Sequence, residues 1–225
     1  MKTEKIKFTA YSIAWYEGGI MHLRIKASAD SVISIDWGDG HVTNHPFYHS
    51  FLNEIYKEFV HNYFPCQITP PMTGIPFRVE ISSDNPDCRI IGFSTVGDMD
   101  EDNLDVSNCP ELEELRFSPY NKEARLDLSR NVALKILECR NGSLTSLDLS
   151  SNIALEELYC EMNYLSHLSL MNNFALKKLH CQCNNMEKLF ICYAPQLLEA
   201  EFELGNDIDE ATKMQILELI AENQN

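Results

Sequence analysis

Leucine positions repeat at a fixed spacing through the second half of the chain. Segments with the pattern LxxLxC, or a close variant, follow at steps of 22, 21, 21 and 21 residues and begin at Leu112, Leu134, Leu155, Leu176 and Leu197. A second segment, LxLSxN, recurs on the same period, and IIGFST from Ile90 is a degenerate first copy. One copy cannot bury its own apolar side, whereas copies stacked about 4.8 Å apart share a core. The pattern therefore predicts a solenoid of five to six coils over residues 87–204.

Cysteine takes the last position of three consecutive LxxLxC segments, as Cys139, Cys160 and Cys181. Alternate side chains of a strand share a face, so these cysteines should point inward with the leucine two residues before them. Stacking keeps neighbouring Cβ atoms nearly a coil apart, whereas a relaxed disulfide prefers about 3.8 Å. Phe117 and Phe202 fill the same position in the outer copies, which indicates an apolar slot. We expect buried free thiols that pack as small hydrophobic groups.

Polar residues also recur at fixed positions of the repeat. Asparagines at two corners of the coil fit turns in which the amide bonds the backbone of the neighbouring coil: Asn131, Asn152, Asn163, Asn173 and Asn184. A column of aspartates places like charges one coil apart: Asp105, Asp127 and Asp148. Because this arrangement costs free energy unless donors bond the carboxylates, we expect bonds from the backbone or from the serine two residues later.

The segment LTSLDLSSNIALEELYCEMNYLSHL resembles the leucine-rich repeats common in bacterial surface and secreted proteins. The resemblance covers about residues 88–204 and implies recognition of a protein or ligand without naming the partner. The last copy departs from the pattern at Ala200 and Phe202. After it, DIDEATKMQILELIAE places one apolar stripe at helical spacing, formed by Ile208, Ala211, Met214, Leu217 and Ile220. We expect a capping helix within residues 205–225.

The first 86 residues show a different hydrophobic pattern, which indicates a separate domain. KIKFTAYSIAWY and IMHLRIKA flank a Gly-Gly turn and predict a hairpin. VISIDWGDG, from Val32 to Gly40, resembles the signature of the polycystic kidney disease type domain, an immunoglobulin-like β-sandwich. His61-Asn62-Tyr63 and FRVEI match its late His-x-Tyr and closing strand, but residues 64–76 make a longer connection than that family usually has. The signature implies that Trp37 fills the space between sheets and that Asp39-Gly40 forms a tight turn.

The predicted fold class is mainly β: an N-terminal immunoglobulin-like sandwich (1–86) fused to a leucine-rich repeat solenoid (87–204) with a C-terminal capping helix (205–225). The formal net charge is −16, of which residues 1–88 carry −3 and residues 89–225 carry −13. Such a surface repels phosphate backbones and anionic lipids, so we expect no nucleic-acid partner and no membrane insertion. It favours a partner with a basic surface.

No secretion signal opens the chain as written, so we expect a cytoplasmic protein; a secreted or cell-surface protein is the alternative if residues precede it. Motifs for phosphate loops, nucleophile elbows, zinc proteases and dinucleotides are absent from the sequence. In His180-Cys181-Gln182-Cys183, strand alternation turns Cys181 inward and His180 outward, which disfavours zinc. DMDEDN, residues 98–103, lacks the glycine and glutamate of a calcium loop and predicts a solvated acidic turn. We expect no enzyme, metal or cofactor.

The outward positions of the repeated strand form the candidate protein interface, with Tyr159 beside His180 as its aromatic centre. Its charged and aromatic members are Arg116, Glu138, Arg140, Glu157, Tyr159, Glu161, Lys178, His180, Glu199, Glu201 and Glu203. The leading hypothesis is a non-catalytic scaffold that binds a protein through this face. The alternatives are glycan or cell-surface adhesion through the sandwich and its aromatic loop Phe47 to Tyr63, and an enzyme built on scattered His and Asp residues.

Overall fold

The computed structural model describes residues 4–12, 19–47, 57–63, 76–97, 99–117, 125–191 and 194–224. The chain forms two compact units, Met1–Leu112 and Glu113–Asn225. Both are built from strands, and the described residues add a C-terminal helix in the second unit. The division into domains at residues 86 and 204 stays a prediction.

The described residues of the first unit form eight strands that pair antiparallel in two groups. Their bounds are β1 Lys5–Ser12, β2 Gly19–Ala27, β3 Ser31–Asp36, β4 Val42–Phe47, β5 Lys57–Tyr63, β6 Pro76–Ser83, β7 Ile90–Gly97 and β8 Met99–Asp105. One group has the order β4-β3-β6-β1-β8, and in the other β2 pairs with β5 and with β7. Buried apolar residues come from both groups, among them Ile6, Leu23, Ile25, Ile35 and Phe93.

The WGDG segment forms the end of β3 and the turn that follows. Trp37 is 1% exposed, and its Nε1 donates a hydrogen bond to Thr43 Oγ1 at 2.8 Å. Gly38 has φ +77°, and a Cβ there would lie 2.5 Å from the backbone nitrogen of Arg78. Gly40 has φ +95°. The burial of the tryptophan and the tight glycine turn are therefore confirmed, and both glycines occupy conformations that L side chains rarely adopt.

Two expectations for the first unit are wrong. Met99–Asp105 is strand β8, paired with β1, and not an acidic turn. Strands β1 and β2, which flank the glycines of the predicted hairpin, do not pair with each other: β1 pairs with β6 and β8, and β2 pairs with β5 and β7. Pairing with strands distant in the sequence overrides both local turn signals. IIGFST lies in β7, and its assignment as a degenerate first copy of the repeat stays a prediction. Asp98, the hairpin turn, residues 64–75 and the centre of the aromatic loop fall outside the described residues.

The second unit is a β-solenoid, as the leucine spacing predicts. Its main parallel sheet contains β9 Glu114–Arg116, β10 Ile136–Glu138, β11 Glu157–Tyr159, β13 Lys178–His180 and β15 Glu199–Glu201. A second parallel pair joins β12 His167–Ser169 to β14 Lys188–Phe190. Leu137, Leu158 and Leu179 lie in register and are fully buried. One core therefore runs through the stack.

The asparagine positions bond neighbouring coils as expected. Asn163 Nδ2 donates to Cys139 O at 2.8 Å and its Oδ1 accepts from Leu144 N at 3.0 Å. Asn184 repeats the arrangement one coil later, with Nδ2 donating to Cys160 O at 3.0 Å. The sequence reading missed that Asn206 continues this column, because the final step of the repeat is 22 residues long. Each amide satisfies buried backbone groups on two coils.

The column Cys139, Cys160 and Cys181 is fully buried and its thiols are free. Burial raises the pKa of Cys139 to about 12. Burial also raises the pKa of Cys160 and Cys181 far above the usual range, so all three remain protonated at neutral pH. Phe117 and Phe202 are buried at the two ends of the column. The predicted apolar slot is confirmed.

The aspartate turns also form as expected. Asp105, Asp127 and Asp148 each accept a hydrogen bond from the backbone N–H of the serine two residues later, at 2.9–3.0 Å. These bonds lower the pKa of Asp127 and Asp148, chiefly through Ser129 and Ser150.

Helix α1 spans Glu210–Asn223, with Asp209 as its N-cap accepting from Thr212 N at 2.9 Å. The predicted apolar stripe is wrong: Ile216 is the buried residue of the helix, whereas Met214 and Leu217 are 54% and 45% exposed. Polar side chains make much of the contact with the last coil, since Asn223 Nδ2 donates to Ala194 O and Leu197 O. The apolar spacing alone could not reveal this polar docking. Within the described residues, no helix is long and apolar enough to span a membrane.

Candidate functional site

The exposed face of the main sheet in the solenoid carries most of the predicted interface. Strand alternation buries the central leucine of β10, β11 and β13 and turns the residues on either side outward. The outward residues lie in register one coil apart: Glu138 opposite Tyr159, Tyr159 opposite His180, and His180 opposite Glu201. We refer to this surface as the strand face.

Tyr159 lies at the centre of the strand face and is fixed from three sides. Its hydroxyl donates a hydrogen bond to Glu157 Oε2 at 2.8 Å. The Arg140 guanidinium lies 5.2 Å from the ring centroid, within range of a cation–π interaction. The His180 ring meets it edge-on at a centroid distance of 5.0 Å. Burial, followed by the bond to Glu157, raises the pKa of Tyr159 to about 12, so the hydroxyl remains a donor at neutral pH.

Charged residues connect the coils on either side of the tyrosine. Arg140 Nε lies 2.9 Å from Glu138 Oε1, and its Nη1 lies 3.1 Å from Glu161 Oε1. Arg116 reaches Glu138 at 3.7 Å from the preceding coil. These pairs hold the guanidinium of Arg140 over the tyrosine ring.

One member of the predicted set differs from expectation. Glu161, expected to face solvent, is 7% exposed and counts among the buried polar residues. Arg140 pairs with one carboxylate oxygen, and the other, Oε2, is buried without a hydrogen-bond partner. The inference of exposure is wrong because Glu161 follows the strand proper and precedes Met162, whose backbone is left-handed with φ +58°. Glu161 therefore supports the strand face from beneath.

The C-terminal end of the strand face gathers an imidazole and several carboxylates. His180 Nε2 lies 2.8 Å from Glu199 Oε1, and His180 Nδ1 lies 3.8 Å from Glu201 Oε2. Gln182 Nε2 donates to Glu201 Oε2 at 2.8 Å. Glu203 is exposed beyond them. The sequence reading placed these residues on one face, but it did not join His180, Glu199 and Glu201 as one cluster.

Lys178 completes the predicted set. It lies opposite Glu199 in register, yet its Nζ lies 3.6 Å from Glu157 Oε1 on the preceding coil. The strand face is thus a connected network, whose members were predicted from alternation but whose pairings were not.

No family model matches the chain, and no curated protein matches it. Among solved structures, the chain is similar to one described as "Functional domain of InlJ from Listeria monocytogenes includes a cysteine ladder". The identity is 28% with a TM-score of 0.46, over 48% of this chain. The chain spans 24% of that protein's structure.

Proposed function

We propose that the chain is a non-catalytic recognition scaffold that binds a protein partner with a basic surface through the strand face of its leucine-rich solenoid. The observation that carries this proposal is the fixed position of Tyr159 between Arg140, His180 and Glu157. A tyrosine held in this way offers a large amphipathic contact surface without losing side-chain freedom on binding.

The charge pattern supports a basic partner. Residues 89–225 carry a formal charge of −13, and Glu199, Glu201 and Glu203 lie at one end of the strand face. Complementary charge steers encounter and raises association rates more than it raises affinity. We therefore assign the acidic end to steering and Tyr159 to the stability of the complex.

The fold assignment behind this proposal has a second part. We also propose that the first unit is a sandwich of the polycystic kidney disease type, fused in one chain to the solenoid. The buried Trp37 and the glycine turn of the WGDG segment support this assignment.

The test is quantitative binding to a partner identified by cross-linked pull-down with the whole chain. Replacing Tyr159 by alanine should weaken binding of the purified partner at least about 30-fold, as expected for a central aromatic residue worth about 2 kcal/mol. Tyr164→Ala is the matched control, because Tyr164 is 47% exposed in the same coil but lies outside strand β11. Equal loss in both variants, or none in Tyr159→Ala, contradicts the proposal.

A charge-reversed variant separates the two assignments. Changing Glu199, Glu201 and Glu203 to lysine should lower the association rate and its salt dependence while leaving the dissociation rate nearly unchanged. If this variant captures the same partner at an unchanged rate, the acidic end does not take part.

A further inference from the structure

We infer that His180, Glu199 and Glu201 form a binding site for a divalent transition-metal ion of the zinc type. Each residue offers one ligand atom, and these atoms lie within 4.8 Å of one another. Ligands about 2.0–2.1 Å from a tetrahedral metal are themselves about 3.3 Å apart. Small side-chain rotations would therefore close the three groups around one ion.

The three side chains are presented by the sheet and not by a loop. His180 ends β13 and lies directly opposite Glu201 in the parallel strand β15. Glu199 is two residues before Glu201 and shares its face because strand side chains alternate. Leu179, fully buried beneath the cluster, fixes β13. Sites on rigid strands hold ligand geometry more closely than sites on loops.

The donor set decides the class of ion. One imidazole nitrogen and two carboxylate oxygens suit zinc, cobalt, nickel or manganese, whereas calcium and magnesium prefer a shell made of oxygen alone. Three protein ligands leave a position for water. His180 is partly buried, while Glu199 and Glu201 are exposed, so solvent reaches the site without a gate.

A neighbouring amide, that of Gln182, orients one of the proposed ligands. Gln182 donates to Glu201 Oε2, the kind of outer hydrogen bond that orients a ligating carboxylate. The carbonyl oxygen of the same amide is buried and accepts no hydrogen bond.

Nearby lysine does not neutralise the cluster. Lys178 is the residue paired in register with Glu199, but its Nζ lies 3.6 Å from Glu157. Among the described residues, His180 is the basic side chain that lies within ion-pair distance of Glu199 and Glu201. A divalent ion held between the three groups would bring positive charge to the two carboxylates.

The test is calorimetric titration of the whole chain with zinc chloride, followed by cobalt substitution. The wild type should bind one equivalent, and His180→Ala or the shape-conserving pair Glu199→Gln with Glu201→Gln should weaken binding at least 100-fold. Gln182→Ala should cost about 10-fold, as outer-shell partners do. Two matched controls, Glu203→Gln and the exposed His167→Ala, should bind as the wild type does.

Cysteine is the competing ligand, because Cys183 is only partly buried. Cobalt bound by His180 and the glutamates should show no thiolate-to-metal charge-transfer band, and Cys183→Ser should retain full affinity. Undiminished affinity in both the His180→Ala and the double-Gln variants, or a thiolate band, overturns the proposal. Far-UV circular dichroism of every variant must match the wild type, and the double-Gln variant decides the outcome if His180→Ala misfolds.

Discussion

The interior of the solenoid and its strand face follow opposite rules of composition. Along the interior, the same residue type returns in consecutive coils: leucine at 137, 158 and 179, and cysteine at 139, 160 and 181. Along the strand face, the central column reads Arg, Glu, Tyr, His and Glu, so no residue type returns in consecutive coils. Every coil needs similar apolar side chains to fill the shared core, whereas the exposed side chains of the strand face can differ from coil to coil. Repetition thus marks structure, and its absence marks the surface where function can vary.

The interior of the solenoid also contains polar backbone groups that need hydrogen-bond partners. Backbone carbonyls at the corners of each coil have no strand partner, and the asparagine amides bond them across the stack. Such a bond satisfies groups that would otherwise be buried without partners, which costs about 1–3 kcal/mol for each group.

The substitution with the largest expected effect on stability is Asn184→Ala, in the interior of the solenoid. This change removes the donor to Cys160 O and Cys181 O and the acceptor of Leu165 N. We expect a loss of about 3–5 kcal/mol in the free energy of unfolding, because several buried backbone groups lose their partners at once. Urea denaturation of the whole chain followed by circular dichroism measures it.

The next residue provides the control. Asn185 is exposed, so Asn185→Ala should change the stability by less than about 0.5 kcal/mol. Similar midpoints for the two variants would show that the corner amides do not hold the coils together.

A smaller effect is expected at Cys160. Serine at this position buries a hydroxyl among apolar groups and should cost about 1–3 kcal/mol. Alanine removes only the sulfur and should cost about 1 kcal/mol. The order of the two urea midpoints, alanine above serine, is the measurement that identifies an apolar slot.

Reducing agent gives an independent check on the same column. Because the six cysteines among the described residues are free thiols, a reductant should not change the urea midpoint through any of them. A lower midpoint in reductant would mean that a disulfide contributes to the stability.

The sequence was sufficient to predict the interior of the solenoid, because each coil has the same packing requirement and so the same residue types recur at a fixed spacing. Leucine spacing predicted the solenoid, and the shared cysteine and phenylalanine position predicted the buried column. The same reasoning missed Asn206, where the period lengthens to 22. It also misjudged the helix, which docks through Asn223 and Ile216 and not through its apparent apolar stripe.

The strand face was only partly predictable. Alternation identified which residues face outward, but side-chain pairings depend on rotamers and often on neighbours 19 to 22 residues away, which leave no local signal. Glu161 shows the limit: it occupies an outward position by count, yet lies beneath Arg140. The prediction for the first unit depended on one turn motif, because antiparallel pairing of strands distant in the sequence produces no fixed period.

The aspartate turns test whether repetition marks structure even on an exposed surface. Asp148 is exposed, yet bonds from Ser150 lower its pKa, against a smaller opposing effect of Asp127. A lowered pKa means that the charged carboxylate stabilises the fold above the ordinary aspartate value of about 3.9, and that this contribution is lost as the pH falls below it. Asp148→Asn should therefore be less stable at neutral pH by under about 1 kcal/mol, since solvent screens the site. The two urea midpoints should converge in acid. The control is Glu187→Gln, which removes an exposed charge from a non-repeated position and should show no such convergence. If the urea midpoints of Asp148→Asn and the wild type differ by the same amount at every pH, the aspartate column does not stabilise the fold.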